Sequence, residues 1–337
     1  MKEKPMMILK KLLLFFILFS ISAAIFSQDN LQQPSSLKIG DTIAIVAPAG
    51  ILKNRTGAIY KAKQTAESWG LHVVIGKNIY KNGNHFAGTD QERTADFQKA
   101  LNDKSIKAIW CARGGYGSVR ILDKLDFSTF LENPKWVIGY SDITAFHNHI
   151  HNLGVATIHG MMPTSFEFEE AKNKQSIASL KNALFGKKLH YQITSSQYNR
   201  TLGKTKIEGQ IIGGNLSIVT SMLGSKSQIN TKNKILFLEE IGEYKYAIDR
   251  LLQSLKRAGY FDDVNAIIIG NMSNVKKNKT LPWGSSIKQL ILDVVPKNIP
   301  VLFNFPAGHE IDNRAMIFGG NVQLKIEGEQ WSMLFDK

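Results

Sequence analysis

Lys135-Trp136-Val137-Ile138-Gly139-Tyr140-Ser141-Asp142 reads as a short buried strand that runs into a tight turn and then a helix. Its apolar run is too short for a helix and suits a strand covered on both faces. The same unit recurs upstream. Thr42-Ile43-Ala44-Ile45-Val46, within Asp41 to Ala47, ends at Pro48-Ala49-Gly50. A helical pattern spans Thr56 to Trp69 and closes at Gly70, and Leu71 to Ile75 is a second strand. Asp90 to Leu101 carries Arg93, Phe97 and Leu101 at helical spacing, and Ile106 to Ala112 is a third strand. After the fourth strand a helix reaches Leu153. Strands alternating with helices predict a parallel sheet with helices on both faces over residues 38–168.

The pattern changes after Phe168. Residues 169–207 are polar and lysine-rich with weak periodicity, which predicts a connecting segment between two domains. A second domain is expected over 208–337. It holds Gly209-Gln210-Ile211-Ile212-Gly213-Gly214-Asn215, the strand Ile235 to Glu239, and a helix from Tyr246 to Arg257. A strand from Ala266 to Gly270, a helix from Ser285 to Val295 and a strand from Val301 to Asn304 follow. Ala315 to Phe335 alternates apolar and polar residues, as antiparallel strands do. There is no internal repeat.

The 337 residues are 43% hydrophobic and 21% charged, an ordinary globular balance that excludes collagen-like and disordered classes. The first 27 residues stand apart. Lys2, Lys4, Lys10 and Lys11 precede an apolar run from Leu12 to Phe26, with small residues at Ser22, Ala23, Ala24 and Ser27. That order predicts a secretory signal peptide over 1–27, and the run is short for a membrane span, which needs about 20 apolar residues. The expected location is therefore periplasmic, with membrane contact only through the signal segment before cleavage. Cys111 is the single cysteine, so no disulfide forms within the chain, and its strand context predicts a buried structural thiol. The formal charge is +14, of which the signal segment supplies +3, leaving +11 to attract an anionic partner such as cell wall or lipid headgroups. The basic residues are scattered and no RNA-binding or zinc-finger signature is present, so no nucleic-acid partner is expected.

In an open parallel sheet, ligands bind at the carboxyl ends of the strands. Three groups of residues there carry chemistry. Ser141 follows Gly139 in a nucleophile-elbow context, and the helix start places N–H groups beside it. Ile143 stands where that pattern has its second glycine, and a plain helix cap is the competing reading. Gly114-Gly115-Tyr116-Gly117-Ser118 ends the third strand, with glycines that let backbone approach a ligand. Its spacing is neither G-x-G-x-x-G nor a Walker loop, so an oxyanion donor fits better than a nucleotide site. Glu239, Glu240 and Glu243, with His309 in Phe305-Pro306-Ala307-Gly308-His309, supply carboxylate and base. His147 and His151 lie one turn apart, but no H-E-x-x-H pattern surrounds them, so no metal is expected. His159 is a candidate either to line the cleft or to serve as a structural residue.

Taken in order, Gly40 to Ala49, Arg113-Gly-Gly-Tyr-Gly117, Ile138 to Thr144, Thr157-Ile-His-Gly160, Gly213-Gly-Asn215, Leu238 to Glu243 and Pro306-Ala-Gly-His309 resemble the LD-carboxypeptidases. This serine peptidase family also contains microcin-immunity peptidases. The resemblance runs from about residue 38 to the C-terminus. It implies an α/β fold: an N-terminal parallel-sheet (Rossmann-like) domain plus a C-terminal α/β domain with antiparallel strands, with the active site at their interface. It implies a catalytic triad of Ser141, Glu239 and His309 and an oxyanion hole from the backbone N–H groups of Gly115 and Asp142. Glu239-Glu240 departs from the family's Glu-Asp, which leaves open which carboxylate faces His309. The implied reaction releases terminal D-Ala from murein tetrapeptides without a cofactor, with Arg113 a candidate for the substrate carboxylate and a homodimer as the expected assembly. A peptidase acting on a peptide antibiotic, and a catalytically silent wall-binding protein, are the alternative readings.

Overall fold

Aliphatic runs of three to six residues build a first sheet: β1 (Thr42–Val46), β2 (His72–Ile75), β3 (Ile106–Cys111), β4 (Trp136–Gly139) and β5 (Thr157–His159). They pair in parallel in the order β5-β4-β3-β1-β2. The structure, a computed structural model, describes residues 31–168, 170–278 and 280–336; the signal segment expected over 1–27 lies outside them. Successive side chains on a strand face opposite sides. Accordingly Ile43 and Ile45 enter one core cluster, and Ala44 and Val46 another on the far face. The covering helices are α1 (Thr56–Ser68), α2 (Asp90–Asn102), α3 (Ser118–Leu122), α4 (Ser128–Glu132) and α5 (Thr144–Asn152). A capping box between Thr89 and Glu92 starts α2, and Phe97 of α2 stacks on Phe146 of α5 at 4.5 Å.

Residues 169–207 are more than a connection. They form α6 (Glu170–Leu184) and the strand β6 (His190–Thr194) before β7 (Lys206–Asn215) begins. The lysines that mask the periodicity of α6 sit outward, while Leu180, Ala183 and Leu184 are buried in the main core.

After β7 come α7 (Leu216–Ser221), β8 (Lys234–Ile241), α8 (Lys245–Arg257), β9 (Ala266–Ser273), α9 (Ile287–Val294) and β10 (Val301–Leu302). The tail forms β11 (Met316–Phe318), β12 (Asn321–Glu327) and β13 (Gln330–Phe335). The second sheet has the order β10-β9-β8-β7-β12-β13-β6. Its β10-β9-β8-β7 half is parallel and its β7-β12-β13-β6 half is antiparallel. β11 instead returns to the first sheet, antiparallel to β5. One buried cluster contains Trp110, Trp136 and Ile138 of the first sheet together with Ile211, Phe237 and Trp331 of the second, so a shared core joins the two.

In the first sheet the order reverses at β1, which lies between β2 and β3, and at this switch point the loops that follow β1 and β3 meet, the Gly50 N–H donating to the Gly114 carbonyl at 2.9 Å. Buried Arg93 bridges those loops: its guanidinium donates to the Pro48 carbonyl and, at 2.9 Å, to the Gly117 carbonyl. Arg93→Ala strands both carbonyl acceptors, while the Asp90 carboxylate keeps Arg120 and Lys124. We expect about 3 kcal/mol of lost stability, read from the urea midpoint. A loss below about 0.5 kcal/mol would show that the bridge is dispensable.

Candidate active site

β4 delivers Ser141 to the carboxyl end of the sheet, beside the Gly114 loop, through a tight turn. Gly139 makes the turn feasible: a Cβ there would lie 2.8 Å from the Ile143 side chain, which folds back over it. The room that the elbow pattern assigns to a second glycine is thus provided at Gly139, and Ile143 is accommodated. Ser141 itself has φ 62, in the left-handed region, where a non-glycine residue is strained by about 1–2 kcal/mol. A 3₁₀ turn over Ser141–Ile143 then leads into α5.

β8 delivers two carboxylates. Because neighbours on a strand face opposite ways, Glu239 and Glu240 have different partners, and the register with β9 shifts between Leu238 and Glu240. Glu239 is fully buried and its Oε2 lies 2.7 Å from His309 Nδ1. Glu240 turns away. It accepts from Asn215 Nδ2 at 3.1 Å, from the Ser217 N–H at 2.8 Å and from the Ser217 hydroxyl at 2.6 Å, so it anchors the start of α7. Of the two acids, Glu239 is the one that faces the histidine.

His309 Nε2 lies 2.9 Å from Ser141 Oγ. A carboxylate only accepts, so Nδ1 carries the proton toward Glu239 and the bare Nε2 accepts from the Ser141 hydroxyl. Ser141 and His309 are half-buried while Glu239 is sealed, so the serine end of the chain is the more exposed one. Burial pulls the pKa of His309 down, but the Glu239 charge and hydrogen bond, aided by Glu240 and Glu310, outweigh it and leave it above 6.5.

The residues expected to form an oxyanion hole lie next to this chain. A Cβ on Gly114 would sit 3.2 Å from both Ser141 Cβ and the Asp142 nitrogen, so the glycine loop packs directly on the elbow. Gly115 has φ 97 and its exposed N–H has no hydrogen-bond partner among the described residues. The Asp142 side chain points elsewhere, accepting from the Ser118 N–H at 2.8 Å. Arg113 is half-buried and donates to the Ile51 carbonyl, close to the Arg55–Glu167 ion pair.

The remaining candidates are structural. His147 uses both ring nitrogens, on Thr157 Oγ1 at 2.8 Å and the Gly139 carbonyl at 2.9 Å, and burial lowers its pKa to about 4. It thereby clamps the strand end beneath Ser141. His159 does not line the cleft: it is wholly buried among Tyr140, Phe237 and Phe318, with neither nitrogen hydrogen-bonded among the described residues. Cys111 is buried and its thiol pKa is pushed up by burial. Among the described residues no group of three or more His, Cys, Asp or Glu is arranged to hold a metal ion.

Two contributors escaped the sequence reading. Ser176 of α6 donates to the Ile311 carbonyl and accepts from the Asn313 N–H at 2.8 Å, and Asn313 Oδ1 accepts from the Gly308 N–H at 3.1 Å. This relay fixes the loop that presents His309. At the contact between the two halves, Thr144 Oγ1 accepts from the Asn215 N–H at 3.0 Å, joining the helix after Ser141 to the end of β7.

Residues 43–160 match the model of the LD-carboxypeptidase N-terminal domain and 208–324 that of the C-terminal domain. The chain is 36% identical over 304 residues to a Bacillus subtilis protein named "Probable murein peptide carboxypeptidase", covering 87% of this chain and 91% of that one. It is 27% identical to the Pseudomonas aeruginosa "Murein tetrapeptide carboxypeptidase", covering 90% and 98%. It is also 29% identical to the Escherichia coli "Microcin C7 self-immunity protein MccF", covering 88% and 94%. Among solved structures, an MccF-like protein from Bacillus anthracis superposes with a TM-score of 0.78 at 26% identity, covering 90% of this chain and 99% of that one. The muramoyltetrapeptide carboxypeptidase of Oxalobacter formigenes shares the fold with a TM-score of 0.77 at 24% identity, covering 88% and 99%. With both domain models matched in order around a hydrogen-bonded Ser–His–Glu set, the chain belongs to the LD-carboxypeptidase family.

Proposed function

We propose that this chain is a serine LD-carboxypeptidase that removes the terminal D-Ala from murein tetrapeptides in the periplasm. The observation that carries the reading is the chain of hydrogen bonds from Ser141 through His309 to Glu239, set on a strained elbow. His309 takes the Ser141 proton as Oγ attacks the L,D-peptide carbonyl, and Glu239 stabilises the imidazolium that forms. The N–H groups of Gly115 and Asp142 receive the oxyanion. His309 then protonates the departing D-Ala amine, leaving a tripeptidyl ester on Ser141. A water molecule, deprotonated by His309, hydrolyses that ester. Arg113, held by the Ile51 carbonyl, turns its remaining donors to the D-Ala carboxylate. The names of the murein carboxypeptidase relatives support the substrate class. The basic, apolar, small-residue order of residues 1–27 supports export.

The test is D-Ala release from purified murein tetrapeptide with EDTA present, followed from about pH 5 to about pH 9. Protonated His309 cannot accept the Ser141 proton. Because its pKa is raised, kcat/KM is expected to be lost as pH falls and to rise through a midpoint above 6.5 to a plateau. A profile flat across that range would remove His309 as the base. Turnover of an aminoacyl-nucleotide conjugate without D-Ala release would move the substrate to that of the immunity-peptidase branch.

A further inference from the structure

Asp142 offers its backbone N–H to the proposed oxyanion hole, yet its side chain has a task of its own. The residue is 1% exposed, and Oδ1 has no hydrogen-bond partner among the described residues. Burial pushes its pKa above the ordinary value, so the charge is kept there at a cost. Oδ2 shows its use. It accepts from the Ser118 N–H at 2.8 Å, and the Gly117 N–H also favours its charge.

Ser118 begins α3, and the cap position before it is Gly117, which has no side chain to receive the first N–H groups. No side chain fits there. Gly117 has φ 136, and a Cβ would lie 2.9 Å from Arg93 Nη1 and 3.0 Å from the Phe86 ring. The cap comes instead from the elbow, 24 residues along the chain.

The glycine loop is pinned at other points too. The Gly50 N–H donates to the Gly114 carbonyl at 2.9 Å, and Arg93 holds the Gly117 carbonyl at 2.9 Å. Only Gly115 and Tyr116 lie between these anchors, and the Gly115 N–H has no partner among the described residues. Gly114 packs on the elbow, its Cβ position 3.2 Å from the Asp142 nitrogen. One residue thus carries one donor on its backbone and, through its side chain, fixes the loop that carries the other. A carboxylate suits that task because it only accepts, so converging N–H groups meet no competing donor.

We infer that the Asp142 carboxylate is a positioning residue for the oxyanion hole: it holds the glycine loop so that the Gly115 and Asp142 N–H groups aim at one oxygen. The inference rests on the serine carboxypeptidase reading above and adds to it a side chain that acts through the loop, not on the substrate.

Asp142→Ala and Asp142→Asn separate this role from that of a plain helix cap. Alanine removes the fastener. Asparagine keeps the volume and one acceptor but turns an NH₂ toward N–H groups that cannot receive it. D-Ala release from murein tetrapeptide is measured with its pH profile, alongside the urea midpoint. Asp142→Ala is expected to lower kcat by about 10²–10³-fold, the loss typical of one oxyanion donor, and Asp142→Asn by about tenfold. KM should stay within about threefold of wild type, and the acid limb set by His309 should not move. A second assay needs no murein. A fluorophosphonate probe phosphonylates Ser141: Oγ bonds to phosphorus, fluoride leaves, His309 takes the proton and the phosphoryl oxygen occupies the oxyanion hole. Labelling rates should fall in the same order.

A folded Asp142→Ala with kcat and labelling within about tenfold of wild type would reduce the carboxylate to a cap and overturn the inference. A loss carried by KM, or a displaced acid limb, would overturn it as well. If Asp142→Ala shows no cooperative urea transition, Asp142→Asn decides, and a loss below about threefold overturns the inference. Labelling of wild type without D-Ala release would overturn the substrate reading alone, and the labelling rates of the variants would still decide. Wild type that is neither labelled nor active would overturn both.

Discussion

Ser141→Ala is expected to lower kcat/KM for D-Ala release by about 10⁴-fold or more, leaving only what substrate binding and the oxyanion donors supply. The size follows from the geometry. Ser141 Oγ is the only hydroxyl hydrogen-bonded to His309 Nε2 among the described residues, so no neighbour can replace it. Cys111, the one thiol, is buried at the end of β3 with its pKa raised. The substitution removes one oxygen and should leave the fold in place. It also leaves the strained backbone, since alanine has the same Cβ conflict at φ 62. Ser141→Gly should therefore be equally inactive yet about 1 kcal/mol more stable than Ser141→Ala in urea unfolding. Retention of activity within about tenfold in either variant would rule out an acyl-enzyme on Ser141.

Much of the first half was legible because its signals are local. The strands β1, β3 and β4 are runs of buried aliphatic residues closed by Pro-Ala-Gly or Gly-containing turns, and burial on both faces leaves no ambiguity of period. α6 was not legible. Its buried positions, Leu180, Ala183 and Leu184, are separated by lysines and small polar residues, and it docks through the Ser176 and Ser179 hydroxyls as much as through apolar area. Hydropathy patterning cannot see a helix that docks by hydrogen bonds. The return of β11 to the first sheet was likewise hidden. Met316-Ile317-Phe318 reads as a strand, but its choice of β5 depends on contacts more than 150 residues away in sequence.

At the site, the sequence supplied residue types and the fold supplied their company. Strand ends named Ser141, Glu239 and His309 as candidates, and family resemblance assembled them. Sequence alone could not separate Glu239 from Glu240, since both are acidic and adjacent. Strand alternation separates them: one points to the histidine and the other to the α7 start. For His159 the sequence left a cleft role and a structural role open, because Thr157-Ile158-His159-Gly160 looks like another strand end. Its ring points into the aromatic layer beneath Tyr140, on the core side of the strand. Asn313 escaped the sequence reading because it acts through the Gly308 backbone and sits in a loop without motif.

Glu239→Gln and Glu240→Gln, one residue apart, should fail in different ways. Glu239→Gln keeps the shape but replaces an acceptor-only carboxylate with an amide. Its NH₂ can donate to Nδ1, which would flip the proton onto Nε2 and leave nothing to accept from Ser141. The imidazolium also loses its counter-charge. We expect kcat to fall by about 10⁴-fold with little change in KM or in the urea midpoint. Any residual activity should show an acid limb at lower pH, because the Glu239 charge and hydrogen bond are the main influences raising the His309 pKa. Glu240→Gln leaves the His309 contact in place and loses the charge that receives the Ser217 N–H and hydroxyl at the start of α7. Its expected effect is on stability, about 1–2 kcal/mol, with kcat within about tenfold of wild type. Measuring kcat, pH profile and urea midpoint on both variants separates the roles. A reversal, with Glu240→Gln inactive and Glu239→Gln merely less stable, would assign the triad to the other carboxylate. Equal losses of kcat would mean that the two acids act as one coupled unit, in which the charge on Glu240 holds Glu239 and His309 at working protonation.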